Sequence, residues 1–156
     1  RRSDSARLAP ASVGGGAAVG WGGVRGCALF AGGRWFGRGM TSQAHSASPR
    51  SGVRGVAFLA FSLHPVGRPS YERAAHLFAV RIPMLFLQGT RDELAHLPLL
   101  QTLAGQLGAR AALKLFEDPD HSFHVPARTG RKDSQVRAEI SDALAEWIEM
   151  TIARAV

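Results

Sequence analysis

Two residues of this chain could together move a proton. Asp92 closes the run Gly89-Thr90-Arg91-Asp92, and His121 follows Asp118-Pro119-Asp120, each just beyond a short apolar segment. A carboxylate that accepts the proton of one imidazole nitrogen leaves the other nitrogen to take a proton from a hydroxyl, which is the acid-base half of nucleophilic acyl transfer. Upstream, Gly33-Arg34-Trp35-Phe36-Gly37 has the spacing of a strand-to-helix turn whose glycines let a nucleophilic serine be held in an exposed, strained position. Its middle residue is Trp35, and an indole has no oxygen with which to attack a carbonyl. The backbone N–H of Phe36 is the one oxyanion donor that this turn would supply.

Each residue also has a plainer reading. Asp92 could cap a helix beginning near Glu93, and a histidine in a Pro-Asp loop is commonly structural. His121 and His124 lack the paired spacing of a zinc site, so neither a metal nor any other cofactor is expected. Ser42 falls on the helix after the turn and reads as a surface or packing residue. His64, in Leu63-His64-Pro65, is placed at the mouth of a substrate pocket, with a simple loop hydrogen bond as the alternative. The order of turn, acid and histidine along the chain, each at a strand end, favours the chemical reading of Asp92 and His121.

The elements that would position these residues are strands alternating with helices. Strands are predicted at 27–31, 53–61, 84–88 and 112–116, with helices near 36–45 and 134–153. Leu94, Leu97, Leu100, Leu103 and Leu107 recur at helical spacing and stop at Gly108, as a core-facing crossover helix would. On the terminal helix, Val136, Ile140, Ala143, Leu144, Trp147, Ile148 and Ile152 form one apolar stripe that should cover a face of the sheet. The fold class is therefore α/β, a parallel sheet with crossover helices. Residues 1–26 are glycine-rich and without period, and read as a flexible or irregular segment ahead of a domain at 27–156.

Several stretches resemble a bacterial α/β-hydrolase family related to dienelactone hydrolases. They are Leu29-Phe30-Ala31-Gly32-Gly33-Arg34, Met40-Thr41-Ser42-Gln43-Ala44, Leu63-His64-Pro65-Val66-Gly67-Arg68-Pro69, the run from Pro83 to Asp92, and Asp120-His121-Ser122-Phe123-His124-Val125-Pro126. The resemblance implies a partial α/β-hydrolase fold whose N-terminal strands are missing, with Asp92 orienting the imidazole and His121 as general base. This chain departs from the family pattern at Trp35, where members carry serine, and at Gly37-Arg38-Gly39-Met40, where they read Gly-Gly-Arg-Met. The implied activity is hydrolysis of carboxylic esters or related acyl compounds. The alternative is a non-catalytic, hydrolase-like domain for binding or oligomerisation.

Composition narrows the partners. The net charge of +7 could suit nucleic acid, but the arginines are spread from Arg1 to Arg154 and no aromatic residues interleave with a basic stripe. No apolar run approaches the roughly 20 residues that span a bilayer. Neither nucleic acid nor a membrane is expected as a partner; a small ester or acyl substrate is, together with a homodimer formed over an exposed sheet edge. The one cysteine, Cys27, cannot form an internal disulfide, which fits a cytoplasmic location.

Overall fold

The computed structural model describes residues 29–34 and 52–154. Strands β1 (Leu29–Arg34), β2 (Val53–Leu59), β3 (Met84–Gly89) and β4 (Ala111–Phe116) form one sheet in chain order. All three neighbouring pairs are parallel, as the alternating pattern predicts. Helix α1 (Leu97–Leu107) connects β3 to β4, and α2 (Asp133–Ala153) follows β4. A stretch of 3-10 helix, Glu72–Ala79, lies in the connection from β2 to β3.

The first strand differs from its predicted span. It runs on through Gly32 and Gly33 to Arg34, paired residue by residue with Ala57, Phe58 and Leu59. Glycine's poor strand propensity is overridden by a neighbouring strand that supplies the ladder, and Gly32 suits a close approach, since a Cβ there would lie 3.1 Å from the Ala57 carbonyl oxygen. The second strand ends two residues early because Ala60 turns into the left-handed region, with φ 56°. Leu94 falls outside α1, which starts at Leu97 with Pro98 in its first turn and stops at Gly108, φ 66°. The predicted segment 1–26, Cys27, and the helix at 36–45 with Ser42 lie outside the described residues.

Alternation along the two inner strands sends side chains to opposite faces. Val56 and Phe58 of β2 join Met84 and Phe86 of β3 in one core with Leu77, Leu100, Leu103 and Leu107, under the 3-10 stretch and α1. Phe58 and Phe86 stack there with ring centres 4.8 Å apart. Ala57, Leu85 and Leu87 face the other way, toward Val136, Ile140, Trp147 and Ile148 of α2. All of β3 is buried, because helices cover it on both sides and strands flank it on both edges. Among the described residues no helix is long and apolar enough to cross a membrane.

The fit of α2 onto the sheet turns on Gly55. Trp147 and Phe30 meet edge to face, 5.5 Å between ring centres, directly over it. A Cβ at Gly55 would come within 2.5 Å of the indole and 3.1 Å of the Phe30 ring. Gly55→Ala should therefore destabilise the fold by about 1–3 kcal/mol, the usual cost of overpacking, read as a lowered midpoint in urea unfolding. A second expectation concerns acid. Burial holds the His76 imidazole below its usual range, against a smaller opposing effect from a hydrogen bond with the Arg73 backbone. The unfolded chain thus binds a proton near pH 6.5 before the folded one does, so this contribution to stability is present above that pH and lost as the pH falls below it. Replacement His76→Gln should flatten the fall of stability between pH 7 and 5, measured by urea unfolding across that range.

Candidate active site

The sheet directs its carboxyl ends to one edge, where loops after β3 and β4 meet. The turn after β3 is closed by Asp92 N–H donating to the Gly89 carbonyl at 3.3 Å. Asp92 is buried, and its two oxygens serve different neighbours. Oδ1 accepts the Leu94 N–H at 2.9 Å, so the plain reading of Asp92 as a local cap holds for a turn rather than for a helix. Oδ2 lies 2.7 Å from His121 Nδ1 and accepts the Gln88 side-chain amide at 2.5 Å.

The loop that carries His121 is held at several points. Thr90 and Arg91 donate backbone N–H bonds to the Phe116 and Pro119 carbonyls, and Asp118 N–H donates to Thr90 Oγ1, each at 3.0 Å. Asp120 folds the tip by accepting the N–H groups of Ser122 and His124 on one carboxylate oxygen, at 2.8 and 3.0 Å. Phe123, in the left-handed region at φ 61°, is driven into the core beside Phe116. The loop is also tied to the start of α2, where Asp133 accepts the Val125 N–H at 2.9 Å.

These bonds leave little room beneath the loop. A Cβ on Gly89 would collide with the Pro119 carbonyl, so glycine here is what lets the histidine loop lie on the acid turn. With Nδ1 committed to Asp92, the imidazole carries its proton on that nitrogen and Nε2 is the basic position. The His121 side chain keeps 20% of its surface exposed while that of Asp92 keeps 0%. The carboxylate is thus closed off from water while part of the imidazole surface is not.

The structure thus brings together Asp92 and His121, which the sequence paired. Trp35 and Phe36 lie outside the described residues. His64 is not at a pocket mouth. It is buried, its Nδ1–H donates to the Pro65 carbonyl at 2.8 Å, and its Nε2 accepts the His96 N–H at 2.7 Å. Nδ1 is spent within the loop after β2, and Nε2 joins that loop to the start of α1. His124 is largely exposed, 3.8 Å from Asp120 and 3.9 Å from Asp133. Among the described residues no group of His, Cys, Asp or Glu gathers to hold a metal ion. Gln88 was missed by the sequence reading, although a glutamine closing the apolar run Met84-Leu85-Phe86-Leu87 was a signal that a buried polar group needed partners.

A parallel sheet with helices on both faces, an acid after one strand and a histidine after the next define the α/β-hydrolase class. The model of the alpha/beta hydrolase domain matches residues 19–149, and the chain belongs to that family. Among solved structures it is similar to an alpha-beta serine hydrolase homologue from Coxiella burnetii, at 19% identity and a TM-score of 0.50, over 63% of this chain and 43% of that one. It is also similar to a predicted CIB-like hydrolase from Thermoplasma acidophilum, at 18% identity and a TM-score of 0.52, over 79% of this chain and 52% of that one. The chain spans about half the length of these structures.

The geometry of the pair depends on the close approach at Gly89, which gives a test. Gly89→Ala should push the 118–121 loop outward and lengthen the contact between His121 and Asp92. In proton spectra the hydrogen-bonded Nδ1–H signal of His121 should broaden or vanish, with a loss of stability of about 1–3 kcal/mol. An undisturbed signal would show that the loop finds its place without the glycine.

Proposed function

We propose that this chain carries the acid-histidine half of a site for hydrolysing carboxylic esters or related acyl compounds, as its resemblance to the dienelactone-hydrolase relatives implies. The observation that carries the reading is the 2.7 Å contact between His121 Nδ1 and the fully buried Asp92 carboxylate. Nε2 of His121 takes the proton of an attacking hydroxyl, Asp92 stabilises the imidazolium that forms, and the proton then passes to the leaving alcohol oxygen. With serine at the strand-to-helix turn, the attacking hydroxyl would be the side chain's and an acyl-enzyme would form, to be released by water. With Trp35 there, the hydroxyl left for His121 to activate is that of water, and the Phe36 N–H is the donor for the oxyanion.

The test is turnover of a short-chain p-nitrophenyl ester by the purified chain and by Trp35→Ser. The serine variant should exceed its parent, because it gives His121 a side-chain hydroxyl to activate. The gain should vanish in Trp35→Ser with His121→Ala, because serine without its base is a weak nucleophile. A folded Trp35→Ser chain that gains nothing would sink the reading and favour a binding or oligomerisation role for this domain.

A further inference from the structure

The side chain of Gln88 is wholly buried at the end of β3, and acyl transfer as described above makes no use of it. Its two ends are nevertheless committed. Oε1 accepts the Phe61 N–H at 2.9 Å, and Nε2 donates to Asp92 Oδ2 at 2.5 Å. A backbone N–H can only donate, so the carbonyl end of the amide must face Phe61 and the NH2 end must face the carboxylate. The reverse orientation would set donor against donor at one end and acceptor against acceptor at the other.

The backbone is bent to make this contact. Ala60, fully buried and in the left-handed region at φ 56°, still donates its N–H to the Leu87 carbonyl at 2.9 Å, the last rung between β2 and β3. The bend that follows takes the Phe61 N–H out of the ladder and onto the Gln88 side chain. A non-glycine residue in this conformation is strained, and such strain persists only where the surroundings fix it.

We propose that Gln88 is a positioning residue for the acid: its amide, keyed by Phe61, holds Asp92 Oδ2 toward His121 and so selects the Nδ1–H tautomer. Asp92 Oδ1 is already fixed by the Leu94 N–H, and the second contact made by Gln88 sets the remaining rotation of the carboxylate plane. Without it, Oδ2 is oriented only by a partly exposed imidazole on a loop, the very group that it must orient. The proposal rests on the reading of His121 as the base, but its test needs no turnover.

Nitrogen-15 spectra of the imidazole report the tautomer, and exchange of the Nδ1 proton reports its protection. The parent chain should show His121 in the Nδ1–H form with a slowly exchanging proton. In Gln88→Met, of similar length but without donor or acceptor, that protection should fall about tenfold or more, the equivalent of one hydrogen bond to a charged group, with the Nε2–H form appearing. A folded Gln88→Met chain with unchanged tautomer and protection would overturn the proposal and leave Gln88 as a core residue only. Should that variant not fold, the parent and His121→Ala decide. One Nε2 proton of Gln88 should be protected and its resonance should move when His121 is removed, because both donors share Oδ2. Rapid exchange of that proton, or no movement, overturns the proposal equally. Turnover enters neither measurement, so a silent Trp35→Ser chain with an intact Gln88 effect refutes the hydrolase reading alone.

Discussion

The arrangement of loops at the carboxyl edge of the sheet follows from burying the Asp92 carboxylate. An ionised carboxylate out of water is costly unless its lone pairs are met by donors, and breaking one partner of a buried charge typically costs about 3–5 kcal/mol. Here the donors are a backbone N–H two residues on, an amide four residues back and an imidazole from the next strand's loop. The first is local and comes with the turn. The other two come from further off, and three non-glycine residues take positive φ in the loops concerned: Ala60 after β2, and Asp118 and Phe123 after β4. Ala60 and Phe123 are buried, so side-chain packing holds there what local preference would release.

The sheet makes this delivery possible because parallel strands put all their carboxyl ends on one edge. β3 contributes the glutamine and the loop after it the acid, the loop after β4 the histidine, and the loop after β2 the N–H that keys the glutamine. The two cores fix these strands from opposite faces, one through α1 and the 3-10 stretch and the other through α2. Helix α2 also reaches the site through Asp133, whose hydrogen bond to Val125 ties the far end of the histidine loop to the helix start. Packing at Gly55 and loop placement at Gly89 are the same device at two ends of the sheet: a missing Cβ that permits a close approach.

The sequence shows the strands, the two helices and the acid-histidine pair because these depend on local pattern: apolar runs of strand length, leucines at helical spacing, and polar residues at strand ends. Where it fails, a non-local contact decides. Gly32 and Gly33 look like a strand's end but are strand, because β2 supplies their partners. Phe61 looks like a continuation of β2 but lies past a kink whose reason is a side chain 27 positions away. His64 looks like a pocket residue because a histidine at a strand end so often is one, yet its partner is a backbone N–H 32 positions on. Gln88 was hidden in plain view, since a lone amide in an apolar run declares a need for partners without saying which.

The same electrostatics accounts for the acid-histidine contact from the described residues alone. The pair is held by the requirement to satisfy a buried charge, through Leu94, Gln88 and the loop bonds of Thr90, Arg91 and Asp120, all within β2, β3, β4 and their connections. None of these groups belongs to the turn after β1. The contact between Asp92 and His121 thus answers the need of a buried carboxylate for donors, and that need is met by groups that the strands and loops of this edge already supply.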